Sequence, residues 1–197
     1  MNEEIIIALI GPIAAGKGTA AEILIQKGYF PFNYGDVIYK ERTAQGLREE
    51  RKISNAVGAE LRLLYGKDTI AKRIGEAIQL FREQKKSNKI LIDGLRHPDE
   101  VAWVIDNLNA KVIGINASPE IRFERALKRN RDVDPKSPEV FLEVDLEDRT
   151  NISEHGNQTD KCLQLAHIVI ENNDENIEEY KSKFYKALKD LNIDINS

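Results

Sequence analysis

The chain has 197 residues, of which 41% are hydrophobic and 31% are charged, so it can bury one substantial core and suits one compact domain better than two. Its formal net charge of −4 excludes a global attraction to nucleic acid or to an anionic membrane, and any anion-binding site must be local. The single cysteine, Cys162, excludes an internal disulfide and suits a reducing compartment.

Membrane and targeting signals are not evident in the sequence. No stretch approaches the roughly 18 consecutive apolar residues of a membrane-spanning helix. Residues 1–15 lack a basic region ahead of their apolar run. We therefore expect a soluble, cytoplasmic protein with no membrane partner and no nucleic-acid partner.

The first predicted element is a strand over residues 5–10, whose unbroken apolar run is typical of a strand buried on both faces. It ends at a glycine-bounded loop, residues 11–19, that opens a helix. Gly11 and Gly16 allow consecutive backbone N–H groups to curl around an anion, and the helix adds its positive N-terminal end. The pattern predicts a loop that binds the phosphates of a nucleoside triphosphate, with Lys17 reaching the β- and γ-phosphates.

The hydroxyl of this loop comes one residue later than in the strict pattern, which has Ser or Thr directly after the lysine. Here Gly18 follows the lysine, and the hydroxyl belongs to Thr19. We expect Thr19 to contribute to the shell of a Mg²⁺ ion. The residues predicted to hold the nucleotide are Gly11, Ala14, Ala15, Gly16, Lys17, Gly18 and Thr19.

Apolar strands and helices alternate along the rest of the chain. This alternation predicts an α/β fold with a five-stranded parallel sheet covered by helices on both faces. Glycines at 46, 58 and 66 interrupt the longest helical tract, as caps or as hinges. The predicted strands are 5–10, 29–33, 89–93, 110–116 and 167–170, and the predicted helices are 17–26, 37–49, 54–65, 68–85, 98–107, one from 119, 139–149, a short helix with Cys162, and 177–191.

The third predicted strand ends in an acidic residue. Asp93 follows the apolar residues 90–92. A phosphate-binding loop needs a carboxylate at the end of an adjacent strand to hold the hydrated magnesium ion. Asp93 is therefore predicted to serve the metal together with Thr19. The alternative is an aspartate that caps the turn at Gly94.

The helix that begins after Ser118 is strongly basic. Such a run is usually a solvated helix face. Beside a phosphate-binding loop, however, it can supply the cations that phosphoryl transfer requires, because the transition state spreads charge over the equatorial oxygens. The spacing of three and four residues places Arg122, Arg125 and Arg129 on one face. The cations of this stretch are Arg122, Arg125, Lys128, Arg129 and Arg131.

At these segments the chain resembles the nucleoside monophosphate kinase group of P-loop kinases, of which adenylate kinase is the familiar member. The Gly-Lys-Gly-Thr sequence at 16–19 is the version of the loop found in that group. Residues 33–38 look like its Ser-Thr-Gly-Asp-hydrophobic-hydrophobic segment. Residues 92–96 look like its Leu-Asp-Gly-Phe-Pro-Arg segment, shortened by one residue, and residues 119–129 look like the start of its lid. The similarity runs from residue 5 to about residue 172.

The resemblance implies a three-layer P-loop kinase fold in a single domain, residues 1–197, with an acceptor-binding helical lobe at 36–75 and a lid at 130–157. It implies transfer of the γ-phosphoryl group of ATP, with Mg²⁺, to a small acceptor that carries a phosphate, such as a nucleoside or deoxynucleoside monophosphate. Residues 93–101 are more similar to the corresponding segment of deoxynucleotide kinases and of dephospho-CoA-kinase-like proteins. The alternatives are therefore transfer to a ribose hydroxyl of dephospho-CoA, and a nucleotide-dependent switch or binding module with little transfer.

The resemblance also assigns roles to individual residues. Arg96 is expected to grip the acceptor phosphate, Arg125 to pack on the donor base and Arg129 to meet the donor phosphates. Asp36 either orients a metal-bound water or an acceptor hydroxyl, or caps a helix that starts at Val37. With Lys17, these four residues make the predicted catalytic set.

Some positions depart from the pattern of the group. Tyr39 stands where adenylate kinases have an arginine three residues after the Gly-Asp pair, and Ala14 stands where they have a third glycine. Arg149 is either a further lid cation or an ion-paired surface residue. His97 and His155 are left out of the catalytic set, because kinases of this type do not need an acid or base there.

Overall fold

The computed structural model describes residues 4–84, 87–132, 134–174 and 176–195. Within these ranges, no helix is both long and apolar enough to cross a membrane. The strands are β1 (Ile5–Ile10), β2 (Phe30–Asn33), β3 (Lys89–Asp93), β4 (Lys111–Asn116) and β5 (Ile168–Glu171). The helices are α1 (Lys17–Gln26), α2 (Tyr34–Ala44), α3 (Arg51–Tyr65), α4 (Thr69–Glu83), α5 (Pro98–Leu108), α6 (Pro119–Arg129), α7 (Pro138–Thr150), α8 (Thr159–Gln164) and α9 (Ile177–Asp190).

The five strands form one parallel sheet in the order β2-β3-β1-β4-β5. The predicted five-stranded parallel sheet is thus confirmed. The central strand β1 lies between β3 and β4, and its register pairs Leu9 with Asp93. Because the carboxyl ends of parallel strands meet at one edge of a sheet, the loop after β1 and the end of β3 are neighbours.

Helices cover both faces of the sheet, as the apolar strands predict. Residues of β1 alternate between two cores: Ile6, Ala8 and Ile10 pack on the side of α2–α5, whereas Ile7 and Leu9 pack on the side of α1 and α9. All five are nearly or completely buried. The result is the three-layer arrangement of helices, sheet and helices.

Glycine is needed at positions 46, 58 and 66 for different structural reasons. Gly46 and Gly66 lie just beyond α2 and α3 with φ of 70° and 101°, which glycine adopts without strain. Gly58 lies inside α3, where a Cβ atom would come within 2.3 Å of the Tyr34 Oη. The expectation that Gly58 interrupts a helix is therefore wrong. Its small size instead lets α3 pack closely on α2.

Helix α2 begins three residues earlier than predicted. It starts at Tyr34, and Asn33 occupies the N-cap position. The interpretation of Asp36 as the N-cap of a helix starting at Val37 is therefore wrong. Asp36 lies in the first turn of α2, where a carboxylate interacts favourably with the positive end of the helix dipole.

Truncation of the central strand tests this packing. We expect Leu9→Ala to lower the free energy of unfolding by about 2–5 kcal/mol, because Leu9 is completely buried and its neighbours cannot all collapse into the cavity. The control is Val169→Ala on the edge strand β5, where Val169 is 41% exposed and the loss is expected to be about 1 kcal/mol or less. Urea denaturation measures both, and equal losses would contradict the described core.

Candidate functional site

The loop between β1 and α1 has the curled backbone that its sequence predicts. Gly11 and Gly16 have φ of 144° and 117°. A Cβ atom on Gly11 would lie 2.0 Å from the carbonyl oxygen of Ile115, so no larger residue fits without a backbone shift. Ala14, in place of the third glycine of adenylate kinases, takes the left-handed conformation with φ of 58°, which non-glycine residues adopt infrequently.

Three side chains from distant elements hold the carbonyl groups of this loop. The amide of Asn172 donates to Ala15 O at 2.8 Å, and the Tyr180 hydroxyl donates to Gly16 O at 3.0 Å. The buried guanidinium of Arg122 donates to Ile13 O at 3.4 Å. Since these carbonyls are fixed from outside, the loop has its shape before any ligand binds.

Lys17 folds back over the loop that precedes it. Its ammonium group donates to Gly11 O at 2.7 Å and to Pro12 O at 2.9 Å. Enclosure by the protein lowers the pKa of Lys17 to about 8, although the nearby carboxylate of Asp93 opposes the shift. Phosphate oxygens are stronger hydrogen-bond acceptors than carbonyls, so a bound phosphate can take over these contacts.

The carboxylate of Asp93 is incompletely paired. Its Oδ1 atom is buried and makes no hydrogen bond to any residue that the structure describes. Burial raises the pKa of Asp93, and the cations Lys17 and Arg96 oppose the shift. A buried carboxylate oxygen without a partner is costly unless a ligand satisfies it. Asp93 and Thr19 together fit a hydrated Mg²⁺ ion, which needs only one or two protein oxygens and keeps its remaining waters.

A cavity of about 640 Å³ brings most of the predicted site together. The phosphate-binding loop, with Lys17 and Thr19, and Asp93 at the end of β3 form one part of the lining, the loop wall. Five guanidinium groups form another part, the cationic wall. They come from α3, from the segment after β3, from α6 and from the loop after α6: Arg51, Arg96, Arg125, Arg129 and Arg131.

A second cavity, of about 750 Å³, adjoins the first on the α9 side. The two share Gly16, Thr19 and Arg125 in their linings. The guanidinium of Arg125 donates to the carbonyl oxygens of Asn172 and Asp174, at 2.9 Å each. Arg125 is thus held rigidly at the boundary between the two cavities.

Arg96 is held by a buried carboxylate from α7. Its Nη1 donates to Asp148, and this pairing raises the pKa of Arg96. Asp148 also accepts from the amides of Asn157 at 2.7 Å and Asn55 at 3.2 Å. Burial favours the neutral acid, yet Arg96 and Asn157 outweigh that effect and lower the pKa of Asp148. Asp148 is therefore a fixed negative charge behind Arg96.

A second buried carboxylate holds two more guanidinium groups. Asp134 accepts from Arg129 at 2.6 Å and 2.9 Å and from Arg51 at 3.1 Å. Sequence reasoning does not single out either Arg51 or Asp134. Arg51 lies in the charged stretch 48–52, which resembles an ordinary solvated segment. The sequence contains only an indirect sign of a further cation, because Tyr39 stands where adenylate kinases have an arginine.

Two predicted features lie outside the cavity. Asp36 is exposed on α2, where the Asn33 amide donates to it at 3.4 Å, and it does not line the cavity. Arg122 does not share the role of Arg125 and Arg129, since it is buried and paired with Asp145, with 2.7 Å between Nη2 and Oδ2. The helical spacing of three and four residues does not distinguish Arg122, which packs inward, from Arg125 and Arg129, which line the cavity.

Arg149 is an ion-paired residue, which is one of the two interpretations drawn from the sequence. Its Nε donates to Asp160 at 2.7 Å, and its side chain is partly exposed. The bond joins α7 to α8. An ion pair of this exposure contributes about 1 kcal/mol or less to stability.

A buried ion pair positions the backbone of Arg96. Glu100 accepts from the Nε of Arg62 at 2.8 Å, and its second oxygen accepts from the backbone N–H groups of Arg96 and His97, at 3.1 Å each. Arg62 also donates to Asn157 Oδ1 at 3.2 Å, so α3, α5 and the segment before α8 meet at this pair. His97 caps α5 through Nδ1, and its Nε2 lies 2.9 Å from Glu154 O. His97 thus has a structural role at the start of α5.

Substitution of a loop glycine tests the loop geometry. Gly11→Ala is expected to lower the free energy of unfolding by at least about 2 kcal/mol, because the added Cβ atom meets a backbone carbonyl and the φ angle becomes strained. Gly18→Ala is the matched control, since a Cβ atom there has no neighbour within 4 Å. We expect it to leave stability unchanged or to raise it by about 0.5–1 kcal/mol. Chemical denaturation measures both, and an equal loss in the two variants would contradict the described loop.

The buried His97 predicts a pH dependence of stability. Burial, together with Arg62, lowers its pKa below 6.5 in the folded chain, so the unfolded chain binds more protons as the pH falls below 6.5. Stability should therefore decrease on acidification below 6.5, by at most about 1.4 kcal/mol per pH unit. His97→Asn retains a capping side chain and removes the titration. Urea denaturation across this range should give a smaller slope for the variant, and parallel slopes would contradict the prediction.

Comparisons with known proteins identify the family of the chain. A family model described as an AAA domain matches residues 10–142. Among curated relatives, a UPF0200 protein of Sulfurisphaera tokodaii is 32% identical over 184 residues, which cover 93% of this chain and 96% of the relative. A UPF0200 protein of Methanosarcina barkeri is 37% identical over 136 residues, which cover 68% of this chain and 71% of the relative.

Solved structures show the same fold at low sequence identity. TT1252 from Thermus thermophilus has a TM-score of 0.60 at 17% identity, and the match covers 96% of this chain and 97% of that one. Shikimate kinase from Bacteroides thetaiotaomicron has a TM-score of 0.57 at 17% identity, with 96% and 99% covered. The expected P-loop kinase fold is confirmed, and the chain belongs to the AAA-domain family matched over residues 10–142 and to the UPF0200 proteins.

Proposed function

We propose that the protein transfers the γ-phosphoryl group of ATP, bound with Mg²⁺, to a small acceptor that carries a phosphate, such as a nucleoside or deoxynucleoside monophosphate. One observation carries the proposal. A single cavity is lined both by a phosphate-binding loop with Lys17 and by guanidinium groups from other elements, including Arg51 and Arg96. Two anionic groups can thus be held within one cavity, which phosphoryl transfer between them requires.

The loop wall is the proposed donor site. The backbone of residues 11–18 and Lys17 hold the β- and γ-phosphates, and the start of α1 adds its positive end. The adjoining cavity, bounded by Arg125, takes the ribose and base of the donor. Thr19 and Asp93 hold the magnesium ion, which when bound neutralises charge on the phosphates.

Two arginines of the cationic wall form the proposed acceptor site. Arg96 and Arg51 line the cavity, and each is held from behind by a buried carboxylate, Asp148 and Asp134. An arginine with one N–H group on a carboxylate still has others with which to bind a phosphate in a fork. Arg51 replaces the cation that Tyr39 does not provide.

Charge neutralisation and positioning are sufficient for the transfer itself. Arg129 lies at the rim of the same cavity and meets the transferred group, with Arg131 beside it. These cations stabilise the charge that spreads over the equatorial oxygens, and no covalent intermediate on the protein is needed. The region 130–157 acts as a lid and the region 36–75 as the acceptor lobe, which together exclude water that would otherwise hydrolyse ATP.

A hydroxyl acceptor such as dephospho-CoA is the second candidate. Transfer to a hydroxyl benefits from a base close to the reacting oxygen. The carboxylate predicted for that role, Asp36, is exposed on α2 and does not line the cavity. The geometry therefore favours an acceptor phosphate, which is a nucleophile without a base.

An acceptor screen tests the proposal. ADP release from Mg·ATP is followed with each nucleoside and deoxynucleoside monophosphate and with dephospho-CoA. We expect at least one monophosphate to be phosphorylated. Arg96→Ala should raise the KM for that acceptor by about 10–100-fold, because a charged hydrogen bond worth about 1.5–3 kcal/mol is lost. Lys17→Ala should weaken ATP binding by a similar factor, measured by calorimetry.

The control variant is Arg82→Ala, whose guanidinium pairs with Glu4 on the surface. It should match the wild type in both measurements. Phosphorylation of dephospho-CoA alone would replace the proposal with the second candidate. Tight ATP binding with slow hydrolysis, unaffected by every acceptor and by Arg96→Ala, would indicate a nucleotide-dependent switch.

A further inference from the structure

Asp134 is the only carboxylate within the described residues whose ion pairs join an arginine of α3 to an arginine of α6. Arg129, on α6, has its Nε and Nη2 atoms 2.6 Å and 2.9 Å from the two oxygens of Asp134. Arg51, on α3, has its Nη2 atom 3.1 Å from Oδ1. Asp134 itself is 3% exposed, so little water screens the three charges from one another.

Both arginines also line the phosphate cavity. In the proposed function Arg129 meets the donor and Arg51 meets the acceptor. Arg129 and Arg51 remain 30% and 18% exposed, so their guanidinium groups are accessible from the cavity. The triad Arg129–Asp134–Arg51 therefore connects the two subsites through one buried charge.

Further hydrogen bonds tie α3 to the segment 130–157. Asn55 of α3 donates to Asp148 of α7 at 3.2 Å and accepts from Asn157 at 3.1 Å. Arg62, also on α3, donates to His155 O at 3.0 Å. These hydrogen bonds join α3 to the segment 130–157 in one hydrogen-bonded unit.

We propose that Asp134 is a positioning residue that couples the donor and acceptor subsites, so that filling either subsite strengthens binding at the other. This inference rests on the proposed function. Binding of the donor phosphates fixes Arg129 and, through Asp134, fixes Arg51 in the geometry that an acceptor phosphate needs. The second ligand then binds an arginine that is already ordered, so its binding loses less conformational entropy. Because coupling between two binding sites is reciprocal, the acceptor tightens donor binding by the same factor.

The test is a calorimetric titration of the whole chain with Mg·AMP-PNP, a non-hydrolysable ATP analogue. Each titration is repeated in an excess of AMP, GMP, CMP, UMP or dephospho-CoA. In the wild type we expect at least one of these probes to lower the Kd for AMP-PNP by about fivefold or more. In Asp134→Asn the change should fall below about twofold, because the buried negative charge that joins the arginines is gone.

Asp132→Asn is the matched control. It removes the same charge two residues away in the same loop, where Asp132 is exposed, and it should retain the full coupling. Retention of the coupling in Asp134→Asn would overturn the inference. So would a wild type in which no probe tightens AMP-PNP binding, or one in which every probe that binds weakens it.

Arg51→Met provides a second route if Asp134→Asn does not fold, which thermal unfolding reveals. It should lose the coupling as well, since it removes the acceptor-side end of the triad. Where both single variants fold, the double variant should lose no more than either one, and additive losses would show that the two residues act independently and would overturn the inference. Failure of wild-type AMP-PNP binding would instead reject the proposed function. Normal binding and transfer without coupling would reject only the role of Asp134.

Discussion

The parallel pairing of β1 with β3 is the constraint on which the rest of the molecule depends. It places Leu9 opposite Asp93, so the loop that follows β1 opens directly beside the carboxylate that ends β3. The burial of β1 on both faces keeps this register, because a shift by one residue would move each side chain into the opposite core. This pairing therefore brings the cavity, Lys17 and the unpaired Oδ1 atom of Asp93 to the same edge of the sheet.

Electrostatics explains how so many cations share one cavity. Three arginines that line the cavity pair with a buried carboxylate, Arg96 with Asp148 and both Arg51 and Arg129 with Asp134. These carboxylates reduce the mutual repulsion of the arginines and restrict their orientation while leaving N–H groups for a ligand. Removing one partner of such a buried pair is costly, because the other charge is left buried and unpaired. A highly charged site can therefore exist in a chain whose net charge is only −4.

Prediction from sequence succeeded where the physical signal is local. The apolar run of residues 5–10, the glycines at 11 and 16 and the start of a helix after Ser118 each depend on a few adjacent residues, and the structure has all of them as expected. Prediction was less accurate where two local interpretations compete. Asp36 was a candidate N-cap, but the helix begins at Tyr34 and Asp36 lies in its first turn. Gly58 was expected to interrupt a helix, but it lies inside α3, where its lack of a side chain leaves room for the Tyr34 hydroxyl.

Local patterns were enough to predict the sheet, the phosphate-binding loop and the likeness to P-loop kinases, because strand burial, glycine conformation and helix capping are encoded by adjacent residues. The arginines that line the cavity could be identified only in the folded chain. Arg51 and Asp134 are 83 positions apart, and Arg96 and Asp148 are 52 apart, so no periodicity connects them. Arg122 has the same helical spacing as its neighbours on α6, yet it is buried against Asp145 of α7. Charge pairing across the fold, which no local pattern contains, separates arginines that support the structure from those that face the cavity.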